Sequence, residues 1–257
     1  MSSRPDLTLF GHVCSSTEPG LAEAALLIAE IAYPDLDIPR YLRRLDELGE
    51  GAREAAGAPA SAETSAEERL ERAVRWLYEE VGFHGNERDY YDPRNSFLND
   101  VLDRRTGIPI SLAVVLLDVC QRAGIFAFGI SFPSHFLVGF FPGPVDRPDG
   151  GDMIVDPFTG HLLDQGELQA LYARVTGDNR DAPRRLLMPA TKSQIMLRML
   201  ANLRAIYAAR ADQAHLLAVL ERIQVLAPND ELAREIRSLG GTIWQSPSPL
   251  RWPHKAN

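Results

Sequence analysis

Cysteine is scarce in this chain of 257 residues, with only Cys14 and Cys120, far apart in sequence. That excludes a secreted disulfide framework and any paired-cysteine metal site, and the expectation is reduced thiols in a cytoplasm. Basic runs are missing as well. Lys and Arg number 27 against 35 Asp and Glu, for a formal net charge of −8. Such a surface repels phosphate backbones, so nucleic acid is not an expected partner. No apolar stretch is long enough to span a bilayer; the longest, around Ile108 to Cys120, is broken by Ser111 and Asp118. Met1 to Ser16 include Arg4 but no apolar core suited to a signal peptide. Glycine-rich phosphate loops of the usual types are absent. His84, His135 and His161 do not stand at metal-ligand spacing, so neither a metal nor a cofactor is expected.

What is present is an ordinary globular composition, 45% hydrophobic and 24% charged, in a chain long enough for one large domain with an appendage. The pattern predicts an α+β protein, mostly helical, with a small antiparallel sheet in the middle. Leu21 to Ala32 reads as a buried helix stopped by Pro34. Pro39 suits the first position of a second helix, whose apolar face carries Tyr41, Leu42, Leu45 and Leu48. Gly51 to Glu63 has no apolar stripe and reads as a loop. Ser65 and Glu68 form a capping box for a helix with Leu70, Val74, Leu77 and Val81 on one face, ending at Gly82.

A polar and aromatic loop follows, Asn86 to Asn95, then a short helix over Asn95 to Leu102 and a break at Gly107. Pro109 opens a long apolar helix to about Arg122, which Gly124 stops. Ile125 to Phe132, His135 to Phe141 and Met153 to Asp156 read as strands, with a turn over 142–151. Lys192 to Arg210, Ala214 to Leu226 and Asp230 to Leu239 are three further helices. The residues from Gly240 to Asn257 read as an extended tail. The expected division is an N-terminal helical segment over 1–64, a core over 65–190, a helical appendage over 191–239 and the tail over 240–257.

The chemistry-bearing order is a Pro-led helix start, then His135, then Asp156 before Pro157. Two readings of each residue stay open. His135 is either structural or half of a His–Asp pair, and Asp156 is either its partner or a turn residue closing the strand. Asn95 and Asn99 either line a site with their amides or cap helices and hold loops. Tyr90 and Tyr91 read as packing residues. Ser111 is either a replacement nucleophile or a first-turn hydroxyl satisfying backbone N–H groups. It sits roughly 200° around the helix from Pro109, so it needs a shifted register to meet His135. Cys120 lies ~16 Å along the axis from Pro109 and is excluded from any site built there. Ser134 is expected on the opposite side of a strand from His135.

Four blocks carry a resemblance: Tyr90-Tyr91-Asp92-Pro93-Arg94-Asn95-Ser96-Phe97-Leu98-Asn99, Arg105-Thr106-Gly107-Ile108-Pro109-Ile110-Ser111-Leu112, His135-Phe136-Leu137-Val138 and Val155-Asp156-Pro157-Phe158. Together they resemble the transglutaminase-like superfamily, in its SirB-type bacterial branch, which an F-box protein core also resembles. The resemblance covers roughly the first two-thirds of the chain. It implies a papain-type core in which a Cys at the start of the long helix, a His and an Asp form a triad. Gly107, Ala113 and Gly124-Ile125 fall into the superfamily's places and put Pro109 where the Cys stands; Asn95, Asn99 and Pro109 are the candidate pocket-lining residues. Leu203, Tyr207 and Pro228 resemble a single tetratricopeptide helix pair, which is expected to pack on the core. The leading reading is a catalytically dead transglutaminase-like domain with a regulatory role or one in protein or small-molecule binding, its protein partner unidentified. The alternative is a Ser-dependent hydrolase or acyl-transferase using Ser111, His135 and Asp156.

Overall fold

The computed structural model describes residues 7–16, 20–57, 65–140 and 153–243. The turn expected over 142–151 and the tail beyond 243 lie outside the described residues. Ten helices and six strands follow one another along the described chain. Helices α1 (Leu7–Ser15), α2 (Leu21–Ala29), α3 (Ile38–Ala56) and α4 (Ala66–Arg75) come first, α4 continuing into a wider π turn over Trp76–Glu80. Short strand β1 (His84–Gly85) precedes a 3-10 turn at Pro93–Asn95, α5 (Leu98–Arg104) and β2 (Thr106–Gly107). Then come α6 (Pro109–Arg122), β3 (Ala127–Ile130), β4 (Leu137–Phe140), β5 (Met153–Asp156) and β6 (His161–Leu163). Helices α7 (Gln165–Thr176), α8 (Lys192–Ala209), α9 (Gln213–Leu226) and α10 (Asp230–Ser238) complete it. None of these helices is long and apolar enough to cross a membrane.

Helix α6 is the hub. Every residue from Pro109 to Cys120 is buried, the mark of a helix with protein on all sides. Around it pack α2, α3, α4, α5 and α8, together with the inner face of the sheet. The sheet is antiparallel in the order β3-β4-β5-β6, and β1 pairs with β2 separately and in parallel. Alternation along the strands divides the sheet's two faces. Val138, Phe140 and Val155 join the main core under α6, whereas Leu137 and Ile154 join a second cluster with Leu171 and Tyr172 of α7. That explains the unbroken apolar run of β4, which is buried on both faces. The C-terminal helices also pack on the core, through Ile195, Met199, Leu203 and Tyr207 of α8 and Val219 of α9.

Several local expectations need correction. The segment Gly51 to Ala56, expected as a loop, is the last part of α3. Gly51 misled the pattern: a Cβ on it would stand 2.4 Å from the Trp76 ring, and one on Gly49, earlier in the same helix, would stand 2.3 Å from the Cβ of Arg122. Glycine here permits close helix approach rather than a break. The short helix begins at Leu98, not Asn95, because Phe97 is extended (ψ 121°). The strand expected from His135 begins at Leu137, and that expected over Ile125 to Phe132 shrinks to Ala127–Ile130. His135 and Ser134 therefore occupy a turn, Ser134 with φ 53°, so the opposite-side argument for Ser134 does not apply. Strand β6 and helix α1 had no expectation.

Two predictions follow from this packing. Gly49→Ala gains roughly 1 kcal/mol of helix propensity but forces α3 off α6, an overpacking penalty of roughly 1–3 kcal/mol. The expected result is a lower urea midpoint in Gly49→Ala. The second prediction concerns Asp118, whose carboxyl burial pushes up to about 6, although Arg122 Nε lies 2.5 Å away. In the unfolded chain an Asp titrates near ~3.9. Between these values the native state holds more protons, so stability is fullest below about pH 4 and falls as pH rises to about 6. The drop is roughly 2–3 kcal/mol. Asp118→Asn is expected to flatten it, as read from urea midpoints across that range.

Candidate functional site

Asp156 ends β5, and the Pro157 that follows turns the chain toward β6. His135 stands in the turn before β4, and antiparallel pairing of Val138 with Val155 brings the two together. His135 Nε2 lies 3.0 Å from Asp156 Oδ1, both side chains being under one-fifth exposed. The same oxygen accepts the Phe158 N–H at 2.9 Å. Asp156 is thus both a turn residue and a partner of the ring, and the two readings are compatible.

Three residues with no expected role fix this pair. The Tyr78 hydroxyl donates to the Pro157 carbonyl at 2.7 Å; burial and then the Asp156 carboxylate push its phenol up. Arg198 of α8 donates to the His135 carbonyl at 3.2 Å. Gly85 donates its N–H to the Phe158 carbonyl at 2.8 Å, and a Cβ there would stand 2.3 Å from the Phe158 ring. The contacts of Tyr78 and Arg198 join residues distant in sequence, so local pattern carries no trace of them. Gly85 is a residue of the short strand β1, where a glycine marks close approach of another group.

Gly85 also pairs with Gly107, two residues before Pro109. The segment after Asp156 is thereby tied through β1 and β2 to the amino end of α6. Pro109 is the first residue of that helix and is buried; its ring has no N–H and no nucleophilic atom. Ser111 is fully buried. Its Oγ donates to the Asn95 carbonyl at 2.5 Å and accepts the Ile108 N–H at 3.1 Å. A serine hydroxyl has one proton to give, and here a backbone carbonyl takes it.

Asn95 is also buried, and its amide organises the preceding loop. Its Nδ2 donates to the carbonyls of Asp89 and Tyr90 at 2.7 and 3.2 Å, and its Oδ1 accepts from Asn86 at 3.0 Å. Asn99 is buried on α5, and its Oδ1 has no hydrogen-bond partner among the described residues; Ser96 Oγ is in the same position. Cys14 and Cys120 are free and buried, and burial pushes each thiol up to about 12. Neither is a ready nucleophile. Among the described residues no group of three or more His, Cys, Asp or Glu side chains is placed to hold a metal ion.

A UPF0162 protein of Xylella fastidiosa (strain 9a5c) is 39% identical over 225 residues, covering 85% of this chain and 76% of that one. A UPF0162 protein of Pseudomonas aeruginosa is 32% identical over 226 residues, covering 88% and 79%. F-box only protein 21 of Mus musculus is 43% identical over 67 residues, which are 26% of this chain and 11% of that protein. No solved structure matches the chain. Residues 39–201 match the family described as the transglutaminase-like superfamily, and with that match and relatives aligned over most of their length the chain belongs to this superfamily.

Proposed function

We propose that this protein is a non-catalytic member of the superfamily, of the SirB-type branch, with a papain-type core and a tetratricopeptide-like C-terminal pair, acting in a cytoplasm by binding a protein partner. The observation that carries the reading is the occupant of the nucleophile's place. The resemblance puts a Cys at the first position of the long helix, and this chain has Pro109 there. The helix start is retained, because proline is favoured at that position, while the group that would form a thioester is lost. His135 and Asp156 then act as a structural pair that holds the turn between β5 and β6 against β4.

The Ser111 alternative draws less support. Its hydroxyl would have to leave the Asn95 carbonyl and expose itself before it could give a proton to His135. Doing so would strand the Ile108 N–H and the Asn95 carbonyl in a buried position, at roughly 1–3 kcal/mol for each group.

The purified protein is expected to give no turnover above buffer in amidase, thiol-ester and amine-crosslinking assays, and His135→Ala to change none of these. Turnover that disappears in His135→Ala would overturn the non-catalytic reading. Ser111→Ala is expected to lower stability by roughly 1–3 kcal/mol in urea unfolding, the signature of a structural hydroxyl.

A further inference from the structure

Strand β3 is the outer strand of the four-stranded sheet. Ala190 donates its N–H to the Gly129 carbonyl at 2.7 Å, and Ile130 forms an antiparallel bridge with Pro189. Gly129 therefore directs its backbone groups away from β4, and by the two-residue alternation of an antiparallel ladder Ala127 does the same. The chain turns into α8 at its N-cap, Thr191, so no strand reaches Ala127. Its N–H and C=O form no hydrogen bond among the described residues. Two residues earlier the edge is closed again, because the Ile125 N–H is taken by the Cys120 carbonyl at 2.8 Å. The open edge is thus a single residue long. Strand addition draws its affinity from a run of main-chain bonds, and this edge has room for one pair.

Ala127 stands in the wall of a cavity of about 580 Å³, a size typical of small-molecule sites. Leu21, Leu117, Ile125, Phe126 and Ile195 make most of the wall apolar, and Gln121 adds one carboxamide. Lys192 is the only charged residue lining it. The Lys192 ammonium is held by the carbonyls of Val13 and Ser16 at 2.9 and 3.0 Å. Glu23 stands close by: a Cβ on Gly20 would lie 3.7 Å from Glu23 Oε2 and 3.9 Å from Lys192 Nζ. The carboxylate offsets the ammonium, so the field in the cavity selects neither an anion nor a cation.

We propose that this cavity is a binding site for an uncharged planar heterocycle that carries a hydrogen-bond donor beside an acceptor, a cyclic amide or an aminopyrimidine, held by the Ala127 N–H and C=O. One extended residue presents its donor and its acceptor on the same side. A ring nitrogen next to an amino group, or a ring N–H next to a carbonyl, meets both at once. An occupant without such an edge would strip water from the two backbone groups and give nothing back. The apolar wall then takes the body of the ring system. Neither His135 nor Asp156 lines the cavity, so turnover that depends on His135 would end the non-catalytic reading and leave this site untouched.

The test titrates three bicyclic probes of similar size into the full chain by calorimetry: 2-aminoquinazoline, which has donor and acceptor; quinazoline, which lacks the donor; and 2-naphthoate, which replaces both by a carboxylate. The 2-aminoquinazoline is expected to bind at least roughly fivefold more tightly than either of the others. Ala127→Pro removes the outward N–H at the first residue of an edge strand, where proline is tolerated, and is expected to reduce 2-aminoquinazoline to the affinity of quinazoline. The amide resonance of Ala127 in the unaltered protein gives a readout that does not depend on that variant folding, and it is expected to shift on addition of 2-aminoquinazoline. Equal affinity for 2-aminoquinazoline and quinazoline, no binding of either at millimolar concentration, or shifts that leave Ala127 unmoved would each overturn the proposal. Tighter binding of 2-naphthoate would overturn it as well, by giving the site to the Lys192 charge. So would tighter binding of a capped Thr-Val-Thr-Val-Thr peptide, which would give the edge to an added strand.

Discussion

A helix buried on every side must satisfy the polar groups at its ends from within the protein, because water does not reach them. Helix α6 meets that requirement at its amino end with two devices. Pro109 removes one donor outright, and Ser111 reaches back to the Ile108 N–H while giving its proton to Asn95. Both are closures. An end sealed in this way supports the helix on which the rest of the core is packed.

The His–Asp pair depends on the same hub at one remove. The inner face of the sheet lies on α6, which sets β4 and β5 side by side and so sets the separation of His135 and Asp156. Tyr78, from the π turn after α4, and Arg198, from α8, then hold the carbonyls of Pro157 and His135. Four separate parts of the chain therefore converge on one small polar cluster. Its order makes structural sense without catalysis, since each bond also fixes a turn.

How much of this was legible in the sequence varies with the range of the interaction. The long helix from Pro109, the strands around Val138 and Val155 and the helices from Lys192 onward were readable, because a proline start, an apolar run and a cap are local signals. Asp156 before Pro157 announced a turn. Gly51 was misread because glycine looks the same whether it breaks a helix or lets two helices touch; only the position of Trp76 decides. His135 was placed on a strand because its neighbours are apolar, whereas the positive φ of Ser134 forces a turn there. The state of Ser111 was undecidable from spacing, since its acceptor, Asn95, comes from a loop folded over the helix start. The open edge of β3 was likewise invisible, because it results from where α8 happens to begin.

The account stands on the claim that neither Pro109 nor the sealed Ser111 hydroxyl presents a reactive atom to His135. Intact-mass measurement after incubation of the folded protein with a fluorophosphonate probe addresses it directly. The mass is predicted to stay that of the unmodified chain. A stoichiometric adduct mapped to Ser111, absent from Ser111→Ala and from His135→Ala, would contradict the account.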